Sequence, residues 1–413
     1  MLRLLHTSDW HLGHTLHEFS RAHEHALFLE WLLDVIDDHD IDALLVAGDV
    51  FDTANPSAEA QETFYRFLAR ARLRRPRLGI VVIGGNHDSA ARLDAPDPIL
   101  RSLGVHVVGG LPQSRGVIDL DRVIVPLKDR DGAITAWIAA VPFLRPADLP
   151  SIDDCDDPLI EGVRRIYQQV IEGARARREG EQALLAMGHC YMTGTQLSDL
   201  SERKILGGNQ HALPVDIFPD DVAYVALGHL HLAQRVGDRE HVRYSGSPIP
   251  LALDEEHYRH QVLVVEIDGP KLQSVTSLEI PRAVPILRLP AKARPLAEVL
   301  QEISKLPALD ASVESWRRPY LEVRVLLDKP EPSLRHEIDK ALEGKAPRLA
   351  RIKVETTGTG AALADSASFR SLRDTSPEDV FRMRYQRDHE GEPSPELLAA
   401  FHEILAEAEG ALA

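Results

Sequence analysis

Ala43-Leu44-Leu45-Val46-Ala47-Gly48-Asp49-Val50-Phe51-Asp52 is the stretch that decides the fold. An unbroken apolar run of this length suits a strand buried on both faces, and a carboxylate arrives where the strand ends. The design recurs at four other places. Residues 2–5 lead into Asp9-Trp10-His11, and residues 80–83 lead into Gly84-Gly85-Asn86-His87-Asp88. Residues 183–187 lead into Gly188-His189, and residues 223–227 into Gly228-His229-Leu230-His231. Between the first two runs, Leu27, Trp31, Leu32, Val35 and Ile36 recur at helical spacing; after Pro56, Phe64, Phe67, Leu68 and Ala71 do the same. Strand–helix–strand alternation predicts an α/β domain, a layered β-sandwich flanked by helices.

In such sheets, binding groups gather at the carboxyl ends of the strands. Asp9, His11, Asp49, Asn86, His189, His229 and His231 all stand there. Seven N and O donors are too many for one four-coordinate ion. They suit two ions that share one carboxylate. With Asp49 as the bridge, one ion takes Asp9, His11 and His231, and the other takes Asn86, His189 and His229. Such a pair, about 3.5–4 Å apart, suits in-line displacement at phosphorus. The mix of imidazole, carboxylate and amide without thiolate admits Mn²⁺, Fe²⁺ or Zn²⁺, and the open positions favour Mn²⁺. Singly, Asp-x-His reads as a helix cap and Gly-Asp as a turn. Five such pieces in order, each after a strand, are not an assembly of unrelated turns.

The 413 residues imply two to three domains, at roughly 100–200 residues each. Hydrophobic residues at 44% and charged residues at 27% exclude a collagenous or wholly disordered chain. The only cysteines, Cys155 and Cys190, exclude a disulfide scaffold or a thiolate zinc site. No run of 18 uncharged apolar residues occurs, and the N-terminus lacks signal-peptide character, so a cytoplasmic protein is expected. The balance of 47 Lys+Arg against 64 Asp+Glu, a net charge of −17, is a poor match for a free-standing nucleic-acid binder. One stretch departs from it: Arg66, Arg70, Arg72, Arg74, Arg75 and Arg77 include no acid among them. They read either as phosphate contacts or as a solvated helix end. His14, His17, His211 and His241 are expected to be surface or structural histidines.

Residues 122–127 and 134–141 flank Asp131-Gly132, a hairpin signal, and residues 244–248 and 261–267 are expected to close the sheet. Pro281, Pro285, Pro290 and Pro295 punctuate the chain beyond. The expected layout is therefore a body over 1–280, a small α+β capping domain over 281–356, a linker over 357–369 and a helical tail over 370–413. The tail carries two helix starts, Ser376-Pro377-Glu378-Asp379 and Ser394-Pro395-Glu396. Its amphipathic helices have little of their own to pack against, which favours a partner-binding module.

The strand-end pieces Asp9-Trp10-His11, Gly48-Asp49-Val50-Phe51-Asp52, Gly85-Asn86-His87-Asp88, Gly188-His189 and Gly228-His229-Leu230-His231 resemble the signature of the calcineurin-like metallophosphoesterase family. The longer wording, Leu5-His6-Thr7-Ser8-Asp9-Trp10-His11-Leu12-Gly13 and Tyr244-Ser245-Gly246-Ser247-Pro248-Ile249-Pro250-Leu251, resembles the nuclease-subunit branch of that family. This resemblance implies a 3′→5′ double-strand exonuclease and single-strand or hairpin endonuclease dependent on Mn²⁺. It implies a role in DNA recombination, replication and repair, and nucleoid association when acting on DNA. It implies a homodimer through the nuclease domain, and a heterotetramer with an SbcC-like coiled-coil ATPase held by the tail. The capping domain would orient DNA. His87 would face the substrate, as general acid for the leaving 3′-oxygen or as a stabiliser of the transition state. Asp52 and Asp88 would orient imidazoles or cap turns. A stand-alone enzyme acting on a small phosphodiester or phosphomonoester is the alternative, because the metal chemistry would be the same.

Overall fold

Two six-stranded sheets pack face to face in the computed structural model, which describes residues 1–129, 131–152, 155–196, 212–329, 331–356, 385, 397 and 401. The first sheet runs Lys271–Glu279, Gln261–Asp268, Leu2–Thr7, Ala43–Ala47, Gly79–Ile83, Val105–Val108. Its last four strands are parallel. The second runs Gln234–Val236, Arg239–Tyr244, Tyr224–Gly228, Ala183–His189, Ile134–Ala140, Ile124–Lys128, with its four middle strands parallel. All five apolar runs are central strands, as expected from their composition.

Burial on both faces explains why those runs do not alternate. Leu4, Leu45, Ala47, Val81 and Ile83 point between the sheets, against residues such as Leu185 and Ala226. Leu5, Leu44, Val46, Ile80 and Val82 point outward beneath helices Ala22–Asp38 and Ala58–Arg74. Phe64, Phe67, Leu68 and Ala71 are buried in that outer layer, so the stripe is core. Trp10 meets Phe28, Phe64 and Phe67 edge-on there, at 5.8, 6.2 and 5.3 Å between centroids. Truncating a ring such as Phe64 costs about 3–5 kcal/mol. Ser57 starts the second helix by accepting the Ala60 N–H at 3.2 Å. Helix Pro158–Arg177, capped by Asp157 on Leu159 and Ile160, covers the other sheet.

Two local expectations change. Residues 122 and 123 are not strand but the end of a helical turn, Leu120–Val123, because Asp119 accepts the Asp121 N–H and caps it; the strand starts at Ile124. The hairpin at Asp131-Gly132 stands, with Gly132 at φ 88°. Tyr244 and Gln261 do not close one sheet. Arg239–Tyr244 joins the second sheet and Gln261–Asp268 the first.

Beyond the body lies a three-stranded sheet, Ile286–Pro295, Tyr320–Leu327 and Arg348–Thr356, with helices Leu296–Ser304 and Leu334–Leu342. Val299, Ile303, Leu321, Val323, Val325 and Ile338 are among its buried residues. That core is small, and the sheet leans on the body. The Tyr320 hydroxyl donates to Glu24 Oε1 at 2.8 Å, and Trp316 stacks on His23 at 4.8 Å. Met1–Val325 with Glu331–Val354 accordingly forms one compact unit. The expected linker and tail lie outside the described residues, except Tyr385, Leu397 and Phe401.

Candidate metal centre

The carboxyl ends of the parallel strands of both sheets meet, and the seven expected donors meet with them. Four of these stand on backbone that L-residues seldom adopt. Asp9, His11 and Asp49 have φ of 53°, 46° and 49°, and His229 has 103°. Each such residue costs about 1–3 kcal/mol, which the surrounding structure must offset. It does so by lacing the loops together. Asp9 N–H donates to Gly48 O at 3.0 Å, His11 N–H to Asp49 O at 3.0 Å, and Leu12 N–H to Val50 O at 2.9 Å. The His229 N–H donates to Asp9 Oδ1 at 3.0 Å. Two glycines are forced by crowding: a Cβ on Gly48 would lie 2.2 Å from His189 Nδ1, and one on Gly85 would lie 2.1 Å from Asp49 Oδ1.

Ligand atoms of Asp9, His11 and His231 lie within 4.8 Å of one another, as do those of Asp9, Asp49 and His189. Asp49 Oδ2 stands 3.5 Å from His11 Nε2 and 3.4 Å from His189 Nε2, between the two groups. Asn86 Oδ1 lies 3.0 Å from both His189 Nε2 and His229 Nδ1.

The other ring nitrogens are already held. His11 Nδ1 faces Asp52 Oδ1 at 3.2 Å, His189 Nδ1 faces Ala47 O at 2.9 Å, and His231 Nδ1 faces Glu255 Oε1 at 2.9 Å. Each acceptor draws the proton to Nδ1 and leaves Nε2 a lone pair. Lone pairs of His11, His189, Asp49 and Asn86 therefore converge. His11 Nε2 is buried with no hydrogen-bond partner among the described residues. Acceptors facing acceptors repel unless positive charge stands among them, so the donor set fits divalent cations.

The titration behaviour has the same cause. Burial by itself disfavours every charged group here; the neighbours overturn it at His11 and Asp49 but not at His229. As acceptors, the Asp49 and Asp52 carboxylates hold the His11 imidazole well above its usual range, so a cation that takes the Nε2 lone pair must displace a proton there. The charge of His189 and the hydrogen bond of His11 hold Asp49 well below its own. His229, buried beside His189, drops to about 3 and stays a neutral donor.

His87 lies beside this cluster. Its backbone N–H donates to Asp49 Oδ1 at 2.9 Å, and its Nδ1 donates to Asp52 O at 2.8 Å. The ring meets His11 edge-on at 4.7 Å. The Asp52 carboxylate faces an imidazole. The Asp88 carboxylate faces backbone instead: it accepts the N–H groups of Val50, Phe51 and Gly85, tying two ligand loops together. Burial and the Asp49 charge push Asp88 up to about 6.

Two residues escaped sequence reasoning. His14, expected to be a surface or structural histidine, shares Asp52 Oδ1 at 2.9 Å and bonds Leu251 O at 3.0 Å through its other nitrogen, which ties it to His11. Glu255 is fully buried behind His231. Neither has a local motif; only the adjoining Ser247–Leu251 wording hints at that loop. His17 and His241 lie on a turn and on strand Arg239–Tyr244 and are not members of the converging groups, and His211 lies outside the described residues.

The arginines of the basic stretch are largely paired. Arg66 pairs with Glu62 and Arg70 with Glu30. Arg74 reaches Asp34 at 2.8 Å, Arg75 reaches Asp40 at 3.1 Å, and Arg72 donates to Leu78 O. The acids of helix Ala22–Asp38 and the residues just after it neutralise arginines of the neighbouring helix. Exposed pairs like these contribute about 0–1 kcal/mol each.

This sandwich with its cluster at the strand ends defines a calcineurin-like phosphoesterase, and the family profile of that description matches residues 2–233. A second profile, described as Type 5 capsule protein repressor C-terminal domain, matches residues 282–389. The D subunit of the nuclease SbcCD from Rhodobacter capsulatus is 41% identical over 386 residues, 92% of this chain and 93% of its own length. The protein of that name from Escherichia coli K12 is 32% identical over 93% of this chain and 92% of its own. Its Bacillus subtilis namesake is 36% identical over 64% and 66%. The chain belongs to the family of SbcCD nuclease D subunits.

Proposed function

We propose that the chain is a two-metal DNA phosphodiester hydrolase working beside an SbcC-like ATPase. Its reactions are 3′→5′ exonuclease attack on duplex ends and endonuclease attack on single strands and hairpins, in recombination, replication and repair. The observation that carries this reading is the convergent donor set, intact in a chain that matches D-subunit nucleases along more than nine-tenths of its length. Mn²⁺ is the proposed ion, with Fe²⁺ or Zn²⁺ chemically compatible. Asp9, His11 and His231 would hold one ion, Asn86, His189 and His229 the other, with Asp49 between.

When bound, the ions supply charge neutralisation at the phosphoryl oxygens and activate water for in-line attack. The chain's own residues do the rest. Asp52, Ala47 O and Glu255 hold the imidazoles in the tautomer that leaves Nε2 free. His87 is anchored through Nδ1 on Asp52 O, which leaves Nε2 for the substrate. Burial lowers its pKa, and an incoming phosphodiester anion raises its proton affinity, so it takes up a proton with substrate and gives it to the leaving 3′-oxygen. The same proposal assigns DNA orientation to the cap, ATPase binding to residues 370–413, and homodimer formation to the nuclease domain. The Phe64 stripe is core, so a dimer surface there would use the outward faces of those helices.

Labelled duplex DNA and Mn²⁺, with and without the coiled-coil ATPase, test the reading. Cleavage is expected. Turnover of bis-p-nitrophenyl phosphate without attack on DNA, even with the ATPase, would instead favour the small-substrate alternative.

A further inference from the structure

Resting on the nuclease reading, we infer that Arg145 grips a phosphate flanking the scissile one, and so makes the site prefer polymeric nucleic acid to small phosphodiesters. Arg145 stands on the loop after strand Ile134–Ala140, which pairs in parallel with Ala183–His189 and ends on the same side. The loop is pinned against the centre. Phe143 N–H donates to Gly84 O at 2.9 Å, two residues before Asn86, and its ring meets the His189 ring edge-on at 6.2 Å. The Arg145 guanidinium lies over that phenyl ring at 5.8 Å and donates to Asp88 O at 3.1 Å, one residue after His87. Its backbone N–H donates to Asp148 Oδ2 at 2.8 Å, and the Asp148 N–H returns to Arg145 O at 2.8 Å. The side chain is thus held ready before any substrate arrives, which lowers the entropic cost of a contact.

Charge decides what it holds. A guanidinium has five N–H donors, and Asp88 O takes one. No carboxylate among the described residues pairs with the Arg145 guanidinium, whereas the Arg66–Arg75 cations near the first sheet are spent on acids or a carbonyl. In a chain of net charge −17, an unneutralised and half-buried cation at the rim of a phosphoester centre is suited to a phosphate oxygen. Arg145 is linked to His189 through the Phe143 ring and to His87 through the adjoining Asp88 carbonyl, one residue removed from the cluster in each case. That spacing puts the guanidinium on a neighbouring phosphate, and the scissile group stays with His87 and the ions. A bare diester lacks this neighbour; a DNA strand always supplies it.

The test uses the full chain, Mn²⁺-loaded and in complex with its coiled-coil ATPase. The substrates are a p-nitrophenyl phosphodiester of thymidine and the same ester extended by one nucleotide on either side. The unaltered protein is expected to favour one extended ester by about tenfold in kcat/KM, mostly through KM. Arg145→Ala should abolish that preference, leave the unextended ester within about twofold, and keep the full metal content by elemental analysis. Arg145→Lys should restore part of it. A preference that survives in Arg145→Ala would overturn the assignment, as would an unaltered protein with no preference. Equal losses on all three esters, with falling metal content, would mean that Arg145 only clamps Asp88 O. Hydrolysis of bis-p-nitrophenyl phosphate with none of the nucleotide esters would remove the nuclease reading itself.

Discussion

Glu255 Oε1 lies 2.9 Å from His231 Nδ1 while Glu255 Oε2 accepts the Leu251 N–H at 2.7 Å. One fully buried carboxylate therefore ties an imidazole of the donor cluster to the loop whose Leu251 O also holds His14. Burial by itself lowers the His231 pKa, and the Glu255 charge raises it above its ordinary value.

Glu255→Ala should accordingly weaken binding of one ion by about 10–100-fold, since partners that orient metal-bound histidines typically matter by that factor. Isothermal titration with Mn²⁺ reads it directly. Two equal, unweakened sites would show that His231 orients itself without help.

Asp49 and His87 are expected to separate metal binding from chemistry. Asp49→Ala removes the oxygen that stands between His11 and His189, so cleavage should vanish and metal content should fall. His87→Ala should keep both ions and lose turnover by about 10²–10⁴-fold, the range for a positioned acid or base. Metal loss in His87→Ala would place that ring among the ligands.

The basic stretch of helix Ala58–Arg74 should be inert toward DNA. Arg70→Ala with Arg74→Ala removes two cations already paired with Glu30 and Asp34. Affinity for duplex DNA and its salt slope should stay unchanged, whereas phosphate contacts would reduce the slope by about one per cation lost.

Acid should destabilise the body before it protonates ordinary carboxylates. His6 and His25 are fully buried and, through burial first, held at about 3. The unfolded chain takes up their protons near pH 6.5 and the folded one does not. Their contribution is thus complete above about pH 6.5 and is lost as pH falls toward 3, by about 2 kcal/mol per ring at about pH 5. His25→Leu should flatten the difference in urea-unfolding free energy between about pH 7.5 and about pH 5 by that amount. An unchanged difference would mean that the buried ring is protonated in the fold.

How much is legible varies with the kind of interaction. The unbroken runs at 43–47 and 183–187 announce strands covered on both sides, because alternation disappears when neither face meets water. The donors are legible because each follows its strand directly in the chain. The closing strands are not: Tyr244 and Gln261 carry similar strand composition, and only pairing sends them to different sheets. Asp88 adjoins His87 in the chain, yet its carboxylate turns away to three backbone N–H groups.

By itself, then, the order of residues determined the layers, the strand ends and the chemical types gathered there, since these follow from local periodicity and adjacency. Tertiary structure alone decided which acids neutralise the Arg66–Arg75 cations, that His14 belongs to the centre, and that Glu255 stands behind His231. His14 and Asp52 are 38 positions apart, His231 and Glu255 24, and Arg70 and Glu30 40. No local pattern records a contact made by two segments that only folding brings together.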